Sequence, residues 1–299
     1  MFFLGIDGGG TKTTCLVTDE NLNEIYRTVG SSVNFWSEGL PTARENMKAM
    51  LCDIKNATGI SHFNGVCVGS SALFGRADEK TKKDFCDGVF DADNIIMDSD
   101  LFIALKAAQK ENVMVVIAGT GSMAAGFGKN GEIITRGGWG FILGDEGSGY
   151  RIALDGIREA VRSLDGTGES TLLGEYLLEF AGVDKKEELI DAFYSPEKDR
   201  KAIAAFTPFV SKAAAAGDSV AEKILFNQCE LLADCARALL SEMPENPHIA
   251  LYGGVFQHNE SYRKHFARIL ENSVSSCELL TKEPCYGACV AARESVGRQ

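Results

Sequence analysis

Histidine is scarce in this 299-residue chain, cysteines at metal-binding spacing are missing, and no apolar run is long enough to cross a bilayer. The four histidines, His62, His248, His258 and His265, are scattered outside the glycine-rich turns, which argues against a histidine-based metal centre. The close cysteine pairs Cys229/Cys235 and Cys285/Cys289 lack C-x-x-C spacing, and Cys15 and Cys67 sit in apolar, strand-like runs as small hydrophobes. Any metal is therefore expected to be a hard cation held by oxygen. Basic residues (30) fall short of acidic ones (42), a formal net charge of −12. That balance argues against non-specific binding to nucleic acid or anionic membranes, so an anionic ligand needs a locally built site. Spanning a bilayer takes about 20 apolar residues. Without such a run, and with a strand-like run at Phe2 in place of a charged-apolar-cleavage signal, the expectation is a cytoplasmic protein with reduced thiols and no membrane partner.

What is present is a pair of glycine turns. Gly8-Gly9-Gly10-Thr11-Lys12-Thr13 follows FFLGID, and Gly119-Thr120-Gly121-Ser122 follows VMVVIA. Glycine permits close backbone approach and positive φ, so consecutive N–H groups converge on an anion, and Thr11, Thr120 and Ser122 add hydroxyls. Each turn leads into a second strand and a polar hairpin. This unit recurs at an offset of 111 residues, which predicts duplicated domains facing each other. A P-loop is excluded, because Gly10 is followed by Thr11 and not by Lys-Ser/Thr, and the next element is a strand. The literal G-x-G-x-x-G at Gly126, Gly128 and Gly131 overlies a Lys-Asn-Gly hairpin, where no helix N-terminus is available to hold a pyrophosphate.

The hydrophobic spacing reads β-β-β-α-β-α-β-α up to a boundary near Glu111-Asn112. Three more strands follow from Val113, then helical stretches over 145–164, 168–181, 185–193, 198–216 and 218–242. A strand at HIALYGG, a helix over 259–272, a short strand near 278–280 and a closing helix from Tyr286 complete an α/β chain of two domains.

With these residues in hand, the chain resembles the actin, sugar kinase and heat-shock ATPase superfamily, and within it the BadF/BadG/BcrA/BcrD-type ATPases that include N-acetylglucosamine kinases. DGGGTKT is similar to the first phosphate motif, IAGTGS to the second, LYGGV to the adenosine motif, and GGWGFILGDEGSGY to the sugar-kinase segment. The resemblance implies two ribonuclease H-like lobes around a central nucleotide cleft. These would be residues 1–111 joined by a C-terminal helix over 284–299, and residues 112–283. It also implies ATP and Mg²⁺, a small-molecule sugar acceptor and a homodimer.

Phosphoryl transfer to a hydroxyl needs positioned phosphates, a divalent cation and a carboxylate base. Gly8, Gly9, Gly10, Thr11, Gly119, Thr120, Gly121 and Ser122 are the phosphate candidates, with Gly253 and Gly254 near the nucleotide base. Lys12 either neutralises phosphate charge or is a solvent-facing hairpin lysine. Asp7, ending the strand before the first turn, either positions the cation or caps the turn. Asp98 resembles the catalytic base; its alternative is an N-cap, and Asp100 competes for the role. Asp145 and Glu146 either accept sugar hydroxyl hydrogen bonds or complement a helix N-terminus near Ser148. Trp139, between Gly138 and Gly140, either stacks on the sugar or plugs a lobe interface, and Asn34 is a sugar contact or a local turn residue. The sugar segments carry no Lys or Arg, which favours neutral N-acetylglucosamine over N-acetylmuramic acid unless Arg76, Arg136 or Arg151 folds in. Glucosamine and glucose stay open as acceptors. An ATP-driven dehydratase activator is disfavoured because no cysteine lies between Cys86 and Cys229, and a sugar-responsive regulator because no helix-turn-helix precedes the first strand.

Overall fold

The computed structural model describes residues 1–73, 77–194 and 199–297. Arg76, one of the three arginines considered above, lies outside them. The chain divides into two compact units, Met1–Glu111 with Leu280–Gln299, and Asn112–Leu279.

The first unit is built from β1 (Phe2–Gly8), β2 (Lys12–Asp19), β3 (Glu24–Ser31), α1 (Phe35–Glu38), α2 (Leu40–Thr58), β4 (Gly65–Ser70), α3 (Glu79–Cys86), β5 (Ile95–Asp98) and α4 (Asp100–Ala107). The second contains β6 (Val113–Ala118), β7 (Ser122–Phe127), β8 (Ile133–Gly137), α5 (Gly140–Leu143), α6 (Gly149–Leu164), α7 (Leu173–Ala181), α8 (Leu189–Phe193), α9 (Arg200–Ala204), α10 (Thr207–Ala215), α11 (Ser219–Leu240), β9 (His248–Tyr252), α12 (Gly254–His258), α13 (Glu260–Leu270) and β10 (Ser276–Leu279). The last helix, α14 (Pro284–Val296), belongs to the first unit.

The two sheets repeat one topology. The first runs β3-β2-β1-β4-β5 and the second β8-β7-β6-β9-β10. In each, three antiparallel strands are extended by two parallel ones. All six residues of β4 are buried, as expected of a parallel strand covered on both faces. Val66 and Val68 join Met47 and Ile54 of α2 on one side, whereas Cys67 packs with Ile103, Ala288 and Ala292 on the other. Gly126–Gly131 is indeed a hairpin, closed by bonds from Gly131 N–H to Gly128 O and from Gly128 N–H to Glu132 O.

Several helix boundaries depart from the pattern: the stretch expected over 168–181 begins at Leu173, and that expected over 198–216 is divided between α9 and α10. A helix over 145–164 was expected, yet α6 starts at Gly149. Asp145 (φ 64°) and Gly147 (φ 79°) are in the left-handed region, which a right-handed helix does not admit, and Ser148 supplies the cap by accepting the Arg151 N–H.

The seam under α14 is unusually close. A Cβ on Gly5 would lie 2.2 Å from Cys285 O, one on Gly65 2.4 Å from Ala292 O, and one on Gly287 1.9 Å from Ile103 O. Backbone meets backbone here, so nothing can rotate away. Alanine at a helix interior is ordinarily worth about 1 kcal/mol over glycine, but overpacking costs about 1–3 kcal/mol, and the contact at Gly287 makes the second effect win. Gly287→Ala is expected to lower stability by about 1–3 kcal/mol in denaturant unfolding. An unchanged or raised midpoint would show that α14 stands off from α4.

Candidate active site

In the first unit, the turn between β1 and β2 is closed by Gly9 N–H donating to Lys12 O (3.0 Å), with Gly10 and Thr11 exposed at its tip. Ser70 Oγ donates to Gly8 O and Ser32 Oγ to Gly9 O, each at 2.9 Å, so neighbouring strands hold the turn's base. None of Gly8, Gly9 and Gly10 has positive φ. Room accounts for Gly8, where a Cβ would meet Val33 at 2.9 Å, whereas above Gly10 nothing lies within 4 Å. The N–H groups of Gly10 and Thr11 have no partner among the described residues, as an anion-binding turn requires.

Asp7, Gly69 and Asp98 lie in register across β1, β4 and β5. Two strand spacings, about 10 Å, therefore separate the backbones carrying the two carboxylates. Burial pushes the Asp7 carboxyl up to about 6, the charges of Asp100 and Glu283 add to this, and exposed Lys12 opposes it. Burial also raises Asp100, the first residue of α4. Asp98 is not the cap of α4. Ser99 is, accepting the Phe102 N–H, while the Ser99 N–H (2.6 Å) and Oγ (3.2 Å) both donate to Asp98 Oδ1. Asn34 caps α1, its Oδ1 accepting the Trp36 N–H (3.0 Å), and its Nδ2 reaches Ser71 Oγ at 3.5 Å.

In the second unit, the turn after β6 is pinned by Gly119 N–H to Gly121 O (2.9 Å) and by Gly149 N–H to Gly119 O (2.7 Å). Thr120 and Gly121 keep their N–H groups without partners among the described residues. Ser122 instead spends its hydroxyl proton on Glu146 O (2.6 Å), which leaves Thr120 as the hydroxyl at the tip. Gly253 (φ 106°) presses the start of α12 onto this turn; a Cβ there would meet Ala118 O at 2.4 Å. Gly254, by contrast, has open space except for His258 at 3.8 Å.

Asp145 is 4% exposed and packs on the same turn. Its Oδ1 accepts the Ser122 N–H (3.4 Å), and Oδ2 faces Arg200 Nη1 at 3.4 Å. The following loop is fixed by Gly147 N–H to Gln228 Oε1 (2.7 Å) and Tyr262 OH to Gly147 O (3.0 Å). Gly138 (φ 73°) and Gly140 (φ 81°) flank Trp139, whose side chain is 73% exposed and open to a ligand. Arg151 Nε donates to Gly144 O (3.1 Å), whereas Arg136 is engaged by Glu242 and Thr135 O. Arg200 was not among the candidates. It lies 55 residues from Asp145 in sequence, on a short helix with no motif of its own.

The sequence matches the profile of the BadF/BadG/BcrA/BcrD ATPase family over residues 4–292. The chain belongs to that family. It is 28% identical to an N-acetylmuramic acid/N-acetylglucosamine kinase of Clostridium acetobutylicum and 27% identical to an N-acetyl-D-glucosamine kinase of Dictyostelium discoideum, each alignment covering 98% of both chains. A solved structure of a candidate N-acetylglucosamine kinase from Chromobacterium violaceum superposes with a TM-score of 0.75 over 98% of both chains at 21% identity. The fold of this BadF/BadG-type ATPase is accordingly α/β, of the two-lobed actin-like ATPase type. No helix among the described residues is long and apolar enough to cross a membrane.

The raised Asp7 has a measurable consequence. The folded carboxyl keeps its proton up to about pH 6, whereas the unfolded one releases it near 3.8. Protonated Asp7 therefore favours the fold below the unfolded value, and that contribution is lost as pH rises through about 6. Asp7→Asn is expected to raise stability near pH 7.5 by at most about 3 kcal/mol, with the gain vanishing below about pH 4. Denaturant midpoints at both pH values check this; a difference independent of pH would rule out Asp7 ionisation as its source.

Proposed function

We propose that this protein is an ATP-dependent kinase that transfers the γ-phosphoryl group to a hydroxyl of N-acetylglucosamine. The observation that carries the reading is the end-to-end likeness to two hexosamine kinases, each aligned over 98% of the chain. Local chemistry supports it. The unpartnered N–H groups of Gly10, Thr11, Thr120 and Gly121 suit phosphate oxygens, with Thr11 and Thr120 adding hydroxyls and Lys12 a mobile positive charge. Asp145 and exposed Trp139 suit the sugar, one accepting hydroxyl hydrogen bonds and the other offering an apolar face. Asn34 has its carbonyl committed to capping α1, so it enters as an amide donor.

Among the described residues, no group of three or more His, Cys, Asp or Glu side chains is gathered to hold a metal. Mg²⁺ does not need one, because it keeps several waters and takes one or two carboxylates together with phosphate oxygens. Asp7 fits as that carboxylate, since its charge is disfavoured by burial and by its acidic neighbours. Bound there, the cation would neutralise charge on the transferring phosphates.

The base is assigned to Asp98, with Asp100 as the competing carboxylate. Asp98 ends β5, in register with Asp7 across β4, and does not cap α4; it accepts the Ser99 N–H and hydroxyl through Oδ1, and no hydrogen bond to its Oδ2 occurs among the described residues. Asp100 also has one oxygen engaged, accepting the Leu101 N–H. Asp98 would take the proton of the attacking hydroxyl as its oxygen bonds to the γ-phosphorus and the bond from that phosphorus to the ADP oxygen breaks.

An ADP-release assay over N-acetylglucosamine, N-acetylmuramic acid, glucosamine and glucose tests the reading. N-acetylglucosamine is expected to stimulate turnover, Asp98→Asn to lower kcat by about 10²–10⁴-fold with little change in ATP affinity, and Asp100→Asn to cost far less. Near-normal turnover in Asp98→Asn with collapse in Asp100→Asn would move the base to Asp100. Brisk basal hydrolysis that no sugar stimulates would point to the activator class.

A further inference from the structure

Asp145, placed on the sugar in the reading above, is met in this structure by a cation. Arg200 Nη1 lies 3.4 Å from Asp145 Oδ2, long for a charge-assisted bond, which ordinarily measures about 2.7–2.9 Å. The Arg200 side chain is 40% exposed while its partner carboxylate is 4% exposed, so the guanidinium has water on one side and the acid on the other. Its carbon lies 5.8 Å from the centroid of the Phe141 ring, which in turn meets Tyr150 edge-on at 5.4 Å. Phe141 thus holds the guanidinium by a cation–π contact and adds an apolar wall. No other hydrogen bond of the Arg200 side chain occurs among the described residues. Arg151 and Arg136, the other arginines considered for this site, are committed to Gly144 O and to Glu242 with Thr135 O.

A cation on the acid takes one of its acceptor positions and leaves others to sugar hydroxyls, so a neutral ligand is still accommodated. The same cation works in favour of a ligand that brings its own negative charge. We propose that Arg200 is a specificity-determining residue that reads a carboxylate on the acceptor, so that the substrate class includes hexosamines carrying an acidic ether substituent. A planar guanidinium with spare donors matches a carboxylate in bidentate fashion, which an ammonium group does not. Phe141 then lines the carbon skeleton of the substituent. The inference rests on the kinase reading and on Asp145 as a sugar-side residue.

The test compares kcat/KM for N-acetylmuramic acid and for N-acetylglucosamine in the full chain, in Arg200→Gln and in Arg200→Lys. The wild-type protein is expected to phosphorylate both sugars. In Arg200→Gln the ratio of acidic-sugar to neutral-sugar kcat/KM is expected to fall by about 10- to 100-fold, the range for losing hydrogen bonds to a charged group. Arg200→Lys is expected to recover part of it. The ratio does not depend on how much of a variant is folded. Wild-type protein that uses N-acetylglucosamine but not N-acetylmuramic acid overturns the proposal and leaves the kinase reading intact. So does an unchanged ratio in Arg200→Gln, which would make Arg200 a positioning residue for Asp145. Wild-type protein that phosphorylates neither sugar overturns the kinase reading, and this proposal with it.

Discussion

The contact on which the first unit depends is the glycine seam between α14 and the sheet. Gly5 on β1, Gly65 on β4 and Gly287 on α14 let the last helix lie against strand and helix backbone without intervening side chains. That closeness has an electrostatic result. Glu283, just ahead of α14, and Asp100, opening α4, both act on Asp7 at the carboxyl end of β1. Half-buried Asp7 and Asp100 and the exposed Glu283, contributed by distant parts of the chain, thus act on one another. The arrangement costs stability, because burial and like charge both disfavour ionisation. Such costs concentrate where chemistry requires them, and the neighbouring turn with two unpartnered N–H groups offers a place for phosphate.

The second unit solves a related problem by bending the chain. Its glycine turn sits on a sheet of the same topology, yet the acid beside it comes from a loop 23 residues further on. That loop holds Asp145 at φ 64°, a conformation costing a non-glycine residue of order 1 kcal/mol or more. It persists because its surroundings over-determine it. Gln228 and Tyr262 fix Gly147, Ser148 starts α6, and Ser122 ties the loop to the turn through Glu146 O. A Cβ on Gly147 would collide with Leu232, Gln228 and Tyr262. The loop and α11 are therefore in close contact, and the position of Asp145 is inherited from the core beneath it.

Much of this was legible from spacing. The runs VMVVIA and GVCVGS are continuous apolar segments because parallel strands are covered on both faces, and they stand in the order that a repeated unit predicts. Turns with two or three glycines signal close approach even before their φ values are known; in these two turns Gly8 and Gly121 are crowded, and none of their glycines has a left-handed backbone. Apolar periodicity did not locate the start of α6, since Asp145-Glu146-Gly147 reads as a polar first turn and only its dihedral angles show the bend. Nor did any local pattern mark Ser99 as the cap beside Asp98, or Arg200 as the partner of Asp145. Capping competition among adjacent Asp and Ser residues is decided by tenths of an ångström. An ion pair spanning 55 residues leaves no trace in either neighbourhood.

The charges of the two units bear on one question, how a chain with a net charge of −12 accommodates anionic ligands. Long-range attraction is unfavourable, so binding has to come from short-range donors. Backbone N–H groups at the turn tips donate hydrogen bonds without carrying a net charge, which makes them suited to an acidic protein. The acids themselves are best served by a cation. At Asp7 a hard divalent ion would relieve the repulsion that burial and Asp100 impose, and at Asp145 the guanidinium of Arg200 already does so. The two sites therefore differ in kind: one acid is left with its charge disfavoured, the other is compensated from within the chain. A carboxylate kept uncompensated favours an arriving cation with its phosphate, whereas a compensated one has a positive charge beside it to offer an acidic ligand.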